Sequence, residues 1–292
     1  MILVTGASGH FGSKAVEHLL KKGIDPQEIT VLVRDLVKAE FLKEQGVKIK
    51  EGNYSDYNSM VEAFIGVDKL LLVSSNDREA IENRTQHHKN AIDAAREAGV
   101  KHIVYTSFVR KLGFEGSAIA GFQNSHVQSE EYLKQSGIAY TILQNGIYTE
   151  MILAFVGDKV AETGTFLFPA GNGKASWTLR EELAEVAAHV LITGNHQNKT
   201  YTLTNTESVG FNAIAQCISE ALDKKINYKS PDVNEFRSVL ENSGVPGMYI
   251  DMFIMWSTGV AEGMMDLEDS TLASLLGRKP TSVSQFIGQV YH

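Results

Sequence analysis

The run Ile2-Leu-Val-Thr5-Gly6-Ala7-Ser8-Gly9-His10-Phe11-Gly12 decides the fold of this chain. Its apolar start is typical of a buried strand, and the residues from Gly12 to Lys22 have the pattern of a helix. In a strand–turn–helix of this kind the first glycine permits a tight turn, and the second lets a ligand approach the backbone. The third lets the helix pack closely on the strand. The run therefore predicts a pyrophosphate at the helix N-terminus, where the helix dipole favours negative charge.

Strand-like and helical runs alternate through the first half of the chain. We predict strands at Ile2–Thr5, Ile29–Arg34, Val47–Lys50, Lys69–Ser74, His102–Ser107 and Tyr140–Leu143, with helices clearest at Gly12–Lys22 and Asn83–Ala98. Some strands, such as Leu70–Val73, are continuously apolar, as expected when helices cover both faces of a parallel sheet. Residues 1–145 are accordingly predicted to form an α/β domain, an NAD(P)-binding Rossmann fold with a doubly wound parallel sheet.

The alternation loosens after about Gln144. A helix is predicted at Arg180–Ile192 and a strand at Thr200–Thr204, followed mostly by helix. We expect residues 146–292 to form a smaller, mixed α/β C-terminal lobe, mostly helical, that binds substrate and contributes some segments back to the core.

Composition limits the partners that we expect. A net charge of -8 gives no reason to expect nucleic acid or an anionic membrane surface. The single cysteine, Cys217, cannot form an intrachain disulfide, which suits a reducing compartment. There is no charged leader before the first strand and no apolar run near the roughly 18 residues that span a bilayer. We expect a cytoplasmic protein, either a monomer or a homodimer.

Two regions are expected to bind the cofactor's phosphates. The loop residues predicted to hold the pyrophosphate are Gly6, Ala7, Ser8, Gly9, His10, Phe11 and Gly12. Arg34, at the end of the second strand, favours the 2′-phosphate of NADP, and Lys38 adds a nearby positive charge. Asp35 is an opposing signal, because an acid there can contact ribose or cap the next helix. The prediction is NADP(H) in preference to NAD(H).

Polar residues at the ends of later strands complete the predicted cofactor contacts. The Asn53 amide could both donate to and accept from the edge of adenine, whereas Ser55 suits an N-cap as well as a ligand contact. Ser74 and Ser75 leave the fourth strand beside the expected path of the ribose. Thr106 and Ser107 either bind the nicotinamide ribose or an acceptor oxygen, or only bond neighbouring backbone.

The chain lacks a Tyr-x-x-x-Lys pair. Tyr132 is followed four residues later by Ser136, Tyr140 by Gln144, and no other tyrosine has lysine at that distance. Such a lysine lowers the pKa of tyrosine so that the phenol can exchange a proton with an alcohol. Alcohol–ketone redox chemistry and nucleotide-sugar epimerisation are therefore disfavoured. Hydride transfer to an acceptor that is already electrophilic needs less help, because proximity supplies much of the rate.

Several segments together resemble the NmrA-like group of atypical short-chain dehydrogenases, in particular its NAD(P)H:quinone oxidoreductase and triphenylmethane reductase branch. They are Thr5–Gly12, Val33-Arg34, Gly52–Tyr54, Leu71–Ser75, Val100–Ser107, Leu143–Tyr148 and Leu275–Thr281. The resemblance implies an NADPH-type cofactor and a quinone or aromatic acceptor. It also implies cofactor contacts at the glycine loop, Arg34, Ser74 and Ser75, with the nicotinamide end near Thr106, Ser107 and Gln144–Tyr148.

Three residues are candidates for a catalytic role. The resemblance places Asn145 beside a bound quinone. Ile147 departs from the pattern of that branch, which could change the shape of acceptor that fits the site. Tyr148 is either a substrate contact or a packed core aromatic. His126, on a predicted helix over Asn124–Ser136 that would face nicotinamide, has either a proton or polar-contact role or an ordinary surface or capping one. Cysteine and histidine spacing shows no set of metal ligands, and we expect no metal.

Two functions remain open from the residues. The favoured one is an NAD(P)H-dependent reductase that transfers hydride to a small aromatic substrate, a quinone or a similar conjugated electrophilic acceptor. The alternative is a non-catalytic NADP-binding redox sensor that acts through a protein partner. The absent acid–base pair fits both, whereas an epimerase-like activity would rest on the fold alone.

Overall fold

The computed structural model describes residues 1–75 and 78–291. Its strands are β1 Ile2–Thr5, β2 Ile29–Val33, β3 Lys48–Glu51, β4 Lys69–Leu72, β5 His102–Phe108, β6 Ala139–Asn145, β7 Thr165–Leu167, β8 Lys174–Ala175, β9 Lys199–Leu203, β10 Val209–Gly210 and β11 Asn227–Lys229. Its helices are α1 His10–Lys21, α2 Glu40–Lys43, α3 Tyr57–Phe64, α4 Arg78–Glu97, α5 Ala120–Gln135, α6 Met151–Val156, α7 Val160–Thr163, α8 Arg180–Ile192, α9 Phe211–Leu222, α10 Val233–Asn242, α11 Gly247–Ala261, α12 Thr271–Leu276 and α13 Val283–Tyr291. No helix in this described part has the length and apolar character that crossing a membrane requires.

The central sheet has seven strands in the order β3-β2-β1-β4-β5-β6-β9. Strand β1 is parallel to β2 on one side, with Ile2 opposite Ile29, and parallel to β4 on the other, with Ile2 opposite Lys69. The pairs β2–β3, β4–β5 and β5–β6 are parallel as well. The strand order therefore runs outward in both directions from β1, and the prediction of a doubly wound Rossmann sheet is confirmed.

Helices cover the sheet because its strands are apolar on both faces. One face packs Leu3, Leu70 and Ile103 into a cluster with buried residues of α3, α4 and α5. Alternate residues such as Val4 and Leu71 point to the opposite face. On that face α8 contacts β4 and β5 and packs along α1.

The ends of the main strands differ from the predicted ends by one or two residues, with β2 and β4 ending earlier and β5 and β6 later. Strand β2 ends at Val33, not at Arg34, and β4 ends at Leu72, not at Ser74. The polar residues after each strand leave the hydrogen-bonded ladder at the carboxyl edge of the sheet. That edge is where open α/β sheets bind their ligands.

The chain forms two compact units, each built from separate stretches. The first contains Met1–Phe108, Asn124–Asn145 and Arg180–Thr202, and the second contains Val109–Gln123, Gly146–Leu179 and Leu203–His292. The second unit has a core of aromatic rings, with centroids 4.5 Å apart for Phe155 and Phe168 and 4.6 Å apart for Phe168 and Phe211. The division at residue 145 into a cofactor domain and a substrate lobe stays a prediction.

Candidate functional site

The glycine loop joins β1 to α1 by a tight turn. Gly6 has a φ of 60°, which glycine adopts without strain, and the Gly9 amide donates to the Gly6 carbonyl at 3.0 Å. A Cβ atom on Gly12 would lie 2.5 Å from the Gly6 carbonyl oxygen and 2.8 Å from the Cα of Ala7. The third glycine is therefore required by the close packing of α1 on the loop.

The first turn of α1 suits an anionic ligand. The helix begins after Gly9, has no side-chain cap and has no acidic residue in its first turn. Of the seven predicted loop residues, Gly6, Ser8, Gly9 and His10 are exposed, whereas Ala7, Phe11 and Gly12 are buried. The buried members fix the loop, and the exposed ones surround the positive end of the helix.

Charged residues follow β2 beside this loop. Arg34 is exposed and is the first residue beyond the strand. One oxygen of Asp35 accepts a hydrogen bond from the Val37 amide at 3.0 Å, so this carboxylate caps the turn that follows. Lys38 is 75% exposed, and its Nζ lies 3.9 Å from the other Asp35 oxygen. The carboxyl end of β2 thus carries two accessible cations and a locally engaged acid.

The structure gives Asn53 a local role. Its Oδ1 accepts hydrogen bonds from the Ser55 amide at 2.9 Å, the Ser55 hydroxyl at 2.5 Å and the Asp56 amide at 3.1 Å. The predicted contact with adenine would therefore fall to the amide nitrogen of Asn53. The expected capping role of Ser55 belongs instead to Asp56, whose carboxylate accepts from the Ser59 amide at the start of α3.

The ends of β4 and β5 are joined through Thr106. Its hydroxyl accepts from the Ser74 amide at 2.8 Å and donates to the Ser74 hydroxyl at 3.3 Å. Ser75 is 7% exposed. Within the described residues its hydroxyl oxygen has no hydrogen-bond partner. A buried hydroxyl at this edge is thus a candidate for a ligand contact.

A buried carboxylate, Glu130, lies at the ends of β5 and β6. The Ser107 hydroxyl donates to its Oε1 at 2.5 Å, and the Gln144 amide nitrogen is 3.2 Å from the same oxygen. Glu130 is 1% exposed. These bonds use the Ser107 hydroxyl hydrogen, so any contact from Ser107 to a ligand would be as an acceptor.

Asn145, the last residue of β6, is also buried without partners. Its side chain is 1% exposed. In the part of the chain that the structure describes, neither its Oδ1 nor its Nδ2 makes a hydrogen bond. A buried polar group normally finds a partner, because leaving it without one costs about 1–3 kcal/mol. Asn145 is therefore a strong candidate for a ligand contact.

His126 belongs to a buried ring cluster. It is 3% exposed, and its Nδ1 lies 2.8 Å from the Tyr105 hydroxyl, which is 3.1 Å from the Nδ1 of His88. Burial, together with the charges of Arg84 and His87, lowers the pKa of His88 to about 3. Burial also raises the pKa of Tyr105 well above its usual range. Both groups are therefore neutral at physiological pH.

Tyr148 lies in the second compact unit. It is half-buried and forms an isolated parallel bridge with Thr178. Its predicted role as a substrate contact stays a prediction. Among the side chains that the structure describes, which leave out those of residues 76–82 and 292, no group of three or more potential metal ligands occurs.

Sequence reasoning missed His88, Tyr105 and Glu130. Glu130 is four residues after His126 on α5, so a helical repeat could have placed the two on one face. Tyr105 is two residues before Ser107 on β5, which puts both on the same face of the sheet. His88 had no comparable signal, because its partners come from β5, α5 and the segment after β4.

The geometry fits a dinucleotide. The Gly12 packing leaves no room for a side chain at the loop, and the unpartnered Ser75 hydroxyl and Asn145 amide lie along the same edge of the sheet. The strands that end there, β1, β4, β5 and β6, are neighbours in the sheet. They could provide one continuous track for an extended ligand with phosphates at one end.

Known proteins resemble the chain along almost all of its length. The model described as the NmrA-like family matches residues 1–287. Quinone oxidoreductase 2 of Escherichia coli is 31% identical over 292 residues, covering 100% of this chain and 99% of the relative. A crystal structure of the NADPH-dependent quinone oxidoreductase from Escherichia coli complexed with NADPH has a TM-score of 0.92 and 32% identity, with 100% of both chains covered. The Citrobacter sp. triphenylmethane reductase complexed with NADP(H) has a TM-score of 0.91 and 33% identity, with 99% of both chains covered.

Proposed function

The chain belongs to the NmrA-like family, and on that premise we propose that it is an NAD(P)H-dependent reductase that transfers hydride to a quinone or a similar conjugated electrophilic acceptor. Full-length similarity to a quinone oxidoreductase and to a triphenylmethane reductase supports the reductase class. The acceptor class is supported by the chemistry of the site, because the chain has no Tyr-x-x-x-Lys pair to reduce an unactivated ketone.

Asn145 is the observation that carries this proposal. An amide that is 1% exposed and unpartnered within the described residues can donate through Nδ2 and accept through Oδ1. A planar acceptor with carbonyl oxygens would satisfy the donor as it binds. The amide thus orients the acceptor and stabilises negative charge that develops on its oxygen.

The residues that would hold the cofactor form a series along the sheet edge. Amides around Gly9 and the α1 N-terminus would bind the pyrophosphate, and Ser74, Ser75 and Thr106 would contact the ribose nearest the nicotinamide. Arg34 and Lys38 would bind a 2′-phosphate, which is why we propose NADP(H) in preference to NAD(H). Bound there, the nicotinamide supplies the hydride.

Activity assays with purified protein test the proposal. NADPH or NADH is mixed with a panel of quinones while the nicotinamide absorbance is followed. We expect turnover with at least one quinone and a higher kcat/KM with NADPH than with NADH. Tight NADPH binding without turnover of any acceptor would contradict the reductase and support the redox sensor.

The substitution Asn145→Leu tests whether the buried Asn145 amide binds the acceptor. Losing the amide is expected to lower kcat/KM for the quinone by roughly tenfold to 100-fold and to leave the Kd for NADPH unchanged. The free energy of unfolding should stay the same or increase, because a buried unpartnered polar group is replaced by an apolar one. Asn58→Leu, at an exposed position in α3, is the matched control and should preserve activity. Full activity in Asn145→Leu would remove the basis of the proposal.

A further inference from the structure

Three rings and a backbone amide form a buried chain of hydrogen bonds in the first compact unit. The Ser75 amide donates to the Nε2 of His88 at 3.2 Å. The Nδ1 of His88 lies 3.1 Å from the Tyr105 hydroxyl, and that hydroxyl lies 2.8 Å from the Nδ1 of His126. His88, Tyr105 and His126 are 0%, 1% and 3% exposed, so water does not compete for these bonds.

The first hydrogen of the chain is placed by the Ser75 amide. Because Nε2 of His88 accepts that bond, it carries no hydrogen. His88 is neutral, and its single hydrogen must lie on Nδ1. The Ser75 peptide is itself held in place, since Nε of Arg84 donates to the Ser75 carbonyl at 2.8 Å.

The second hydrogen follows from the first. The Nδ1–H of His88 faces Ser129 Oγ at 2.9 Å and Tyr105 Oη at 3.1 Å. Ser129 donates its own hydrogen to the Ser125 carbonyl at 2.7 Å. Both hydroxyl oxygens therefore accept from His88, and Tyr105 is left to donate to Nδ1 of His126.

We propose that the Ser75 amide, through His88 and Tyr105, fixes His126 as the Nε2–H tautomer, so that His126 serves the reaction as a neutral hydrogen-bond donor. This role in the reaction rests on the proposed reductase function, whereas the tautomer does not. His88 and Tyr105 are positioning residues, since each acts through the next ring.

The hydrogen-bond chain from the Ser75 amide to His126 orients hydrogens but does not conduct protons. It begins at a peptide N–H, which does not give up its proton, so a proton lost from His126 Nε2 could not be replaced along the chain. Burial also disfavours the phenolate of Tyr105. His126 would therefore polarise an acceptor oxygen without becoming its acid, as a neutral histidine can at other active sites. The proton that a quinone needs after it has received hydride comes from water.

Nitrogen NMR of the histidine rings tests the tautomer without cofactor or acceptor. Protein labelled with ¹⁵N in histidine distinguishes a ring nitrogen that carries hydrogen from one that does not. Near neutral pH we expect Nε2–H for His126 and Nδ1–H for His88. The opposite tautomer at either ring, or a protonated His126, would overturn the proposal.

Tyr105→Phe tests the link between the rings. We expect His126 to lose its single tautomer and kcat for the quinone to fall about tenfold, the effect of losing one hydrogen bond. The Kd for NADPH should not change. Tyr132→Phe removes a hydroxyl from the same region, one bonded to Asp93 at 2.8 Å, and should change neither the tautomer nor kcat. A His126 spectrum unchanged in Tyr105→Phe would contradict the chain.

Variants of His88 give a second test, of the direction in which the hydrogen bonds donate from the Ser75 amide toward His126. His88→Asn places an amide N–H near the position of Nδ1, whereas His88→Gln places its amide near Nε2. We expect His88→Asn to preserve the Nε2–H tautomer of His126 better than His88→Gln, and equal effects would count against the proposed direction. If the predicted tautomer is found but no quinone is reduced, the reductase function is rejected and the hydrogen-bond chain stands. If a quinone is reduced but the tautomer is the opposite one, the hydrogen-bond chain is rejected and the reductase function stands.

Discussion

Gly12 is the residue of the glycine loop that leaves the least room for a side chain. Its α-carbon faces the Gly6 carbonyl so closely that a methyl group would overlap backbone atoms, at 2.5 Å from oxygen and 2.8 Å from carbon. Backbone cannot move aside as the end of a flexible side chain can. The position therefore couples the stability of the β1–α1 junction to the shape of the phosphate site.

Gly12→Ala is expected to lower the free energy of unfolding by about 1–3 kcal/mol, because the overlap pushes α1 away from β1. NADPH binding should weaken with it. Urea unfolding and calorimetry measure the two effects. Gly194→Ala is the control, since a Cβ there has no atom within 4 Å. Equal stability of the two variants would show that α1 moves without resistance.

The ends of β1 and β4 are tied by one threonine. Thr5 is 1% exposed, accepts from the Val73 amide at 2.9 Å and donates to the Leu71 carbonyl at 3.1 Å. The Tyr54 hydroxyl is 2.6 Å from the same Thr5 oxygen. The hydroxyl thus connects the two strands at the point where the sheet opens toward the ligand.

Thr5→Val should lower the free energy of unfolding by about 1–3 kcal/mol, because the partly buried Val73 amide loses its acceptor. Thr30→Val is a matched change on β2. Thr30 is also buried, but its hydroxyl donates to a weak acceptor, the sulfur of Met1, at 3.4 Å. Thr30→Val should therefore lower the free energy of unfolding by less than Thr5→Val does. Denaturant unfolding of both variants makes the comparison, and equal losses would contradict a specific tie between β1 and β4.

The folded chain as a whole should be sensitive to acid through its histidines. Burial lowers the pKa of His102 to about 4, with smaller contributions from the charges of Lys69 and His196. Burial is also the main cause of the lowered pKa at four further histidines, namely His18, His88, His189 and His196. In the unfolded chain each would titrate near 6.5. Below that pH the unfolded state binds more protons than the folded state, so stability decreases as pH falls.

We expect the urea midpoint to be constant above about pH 7 and to fall steadily between about pH 6.5 and 4. His102→Gln keeps an amide near Thr141 Oγ1, which the His102 ring contacts at 2.9 Å, and removes the titration. The free energy of unfolding of this variant should decrease by on the order of 3 kcal/mol less than that of the wild type between pH 7 and pH 4. A pH profile identical to that of the wild type would show that His102 is not buried as neutral imidazole.

Local patterns sufficed for the parts of the protein that depend on neighbouring residues. The glycine spacing at residues 6–12, the apolar strands and the alternation of strand and helix predict the Rossmann sheet and its phosphate loop, because turn geometry and burial leave their mark on short segments. The same patterns place Arg34 and Ser74 at the edge of the sheet. They predict each strand end only to within one or two residues.

Packing alone brought together the residues whose partners are distant in the chain. Tyr105 meets His88 and His126, and Glu130 meets Ser107, because α4 and α5 pack on the sheet beside β5. Periodicity assigns a residue to a face but not to a partner, because the partner depends on strand order and on helix position. The segment Arg180–Thr202 joined the first unit for the same reason. Its helix α8 contacts α1, β4 and β5, of which α1 and β4 are more than a hundred residues away in the chain, and its strand β9 lies beside β6 in the sheet.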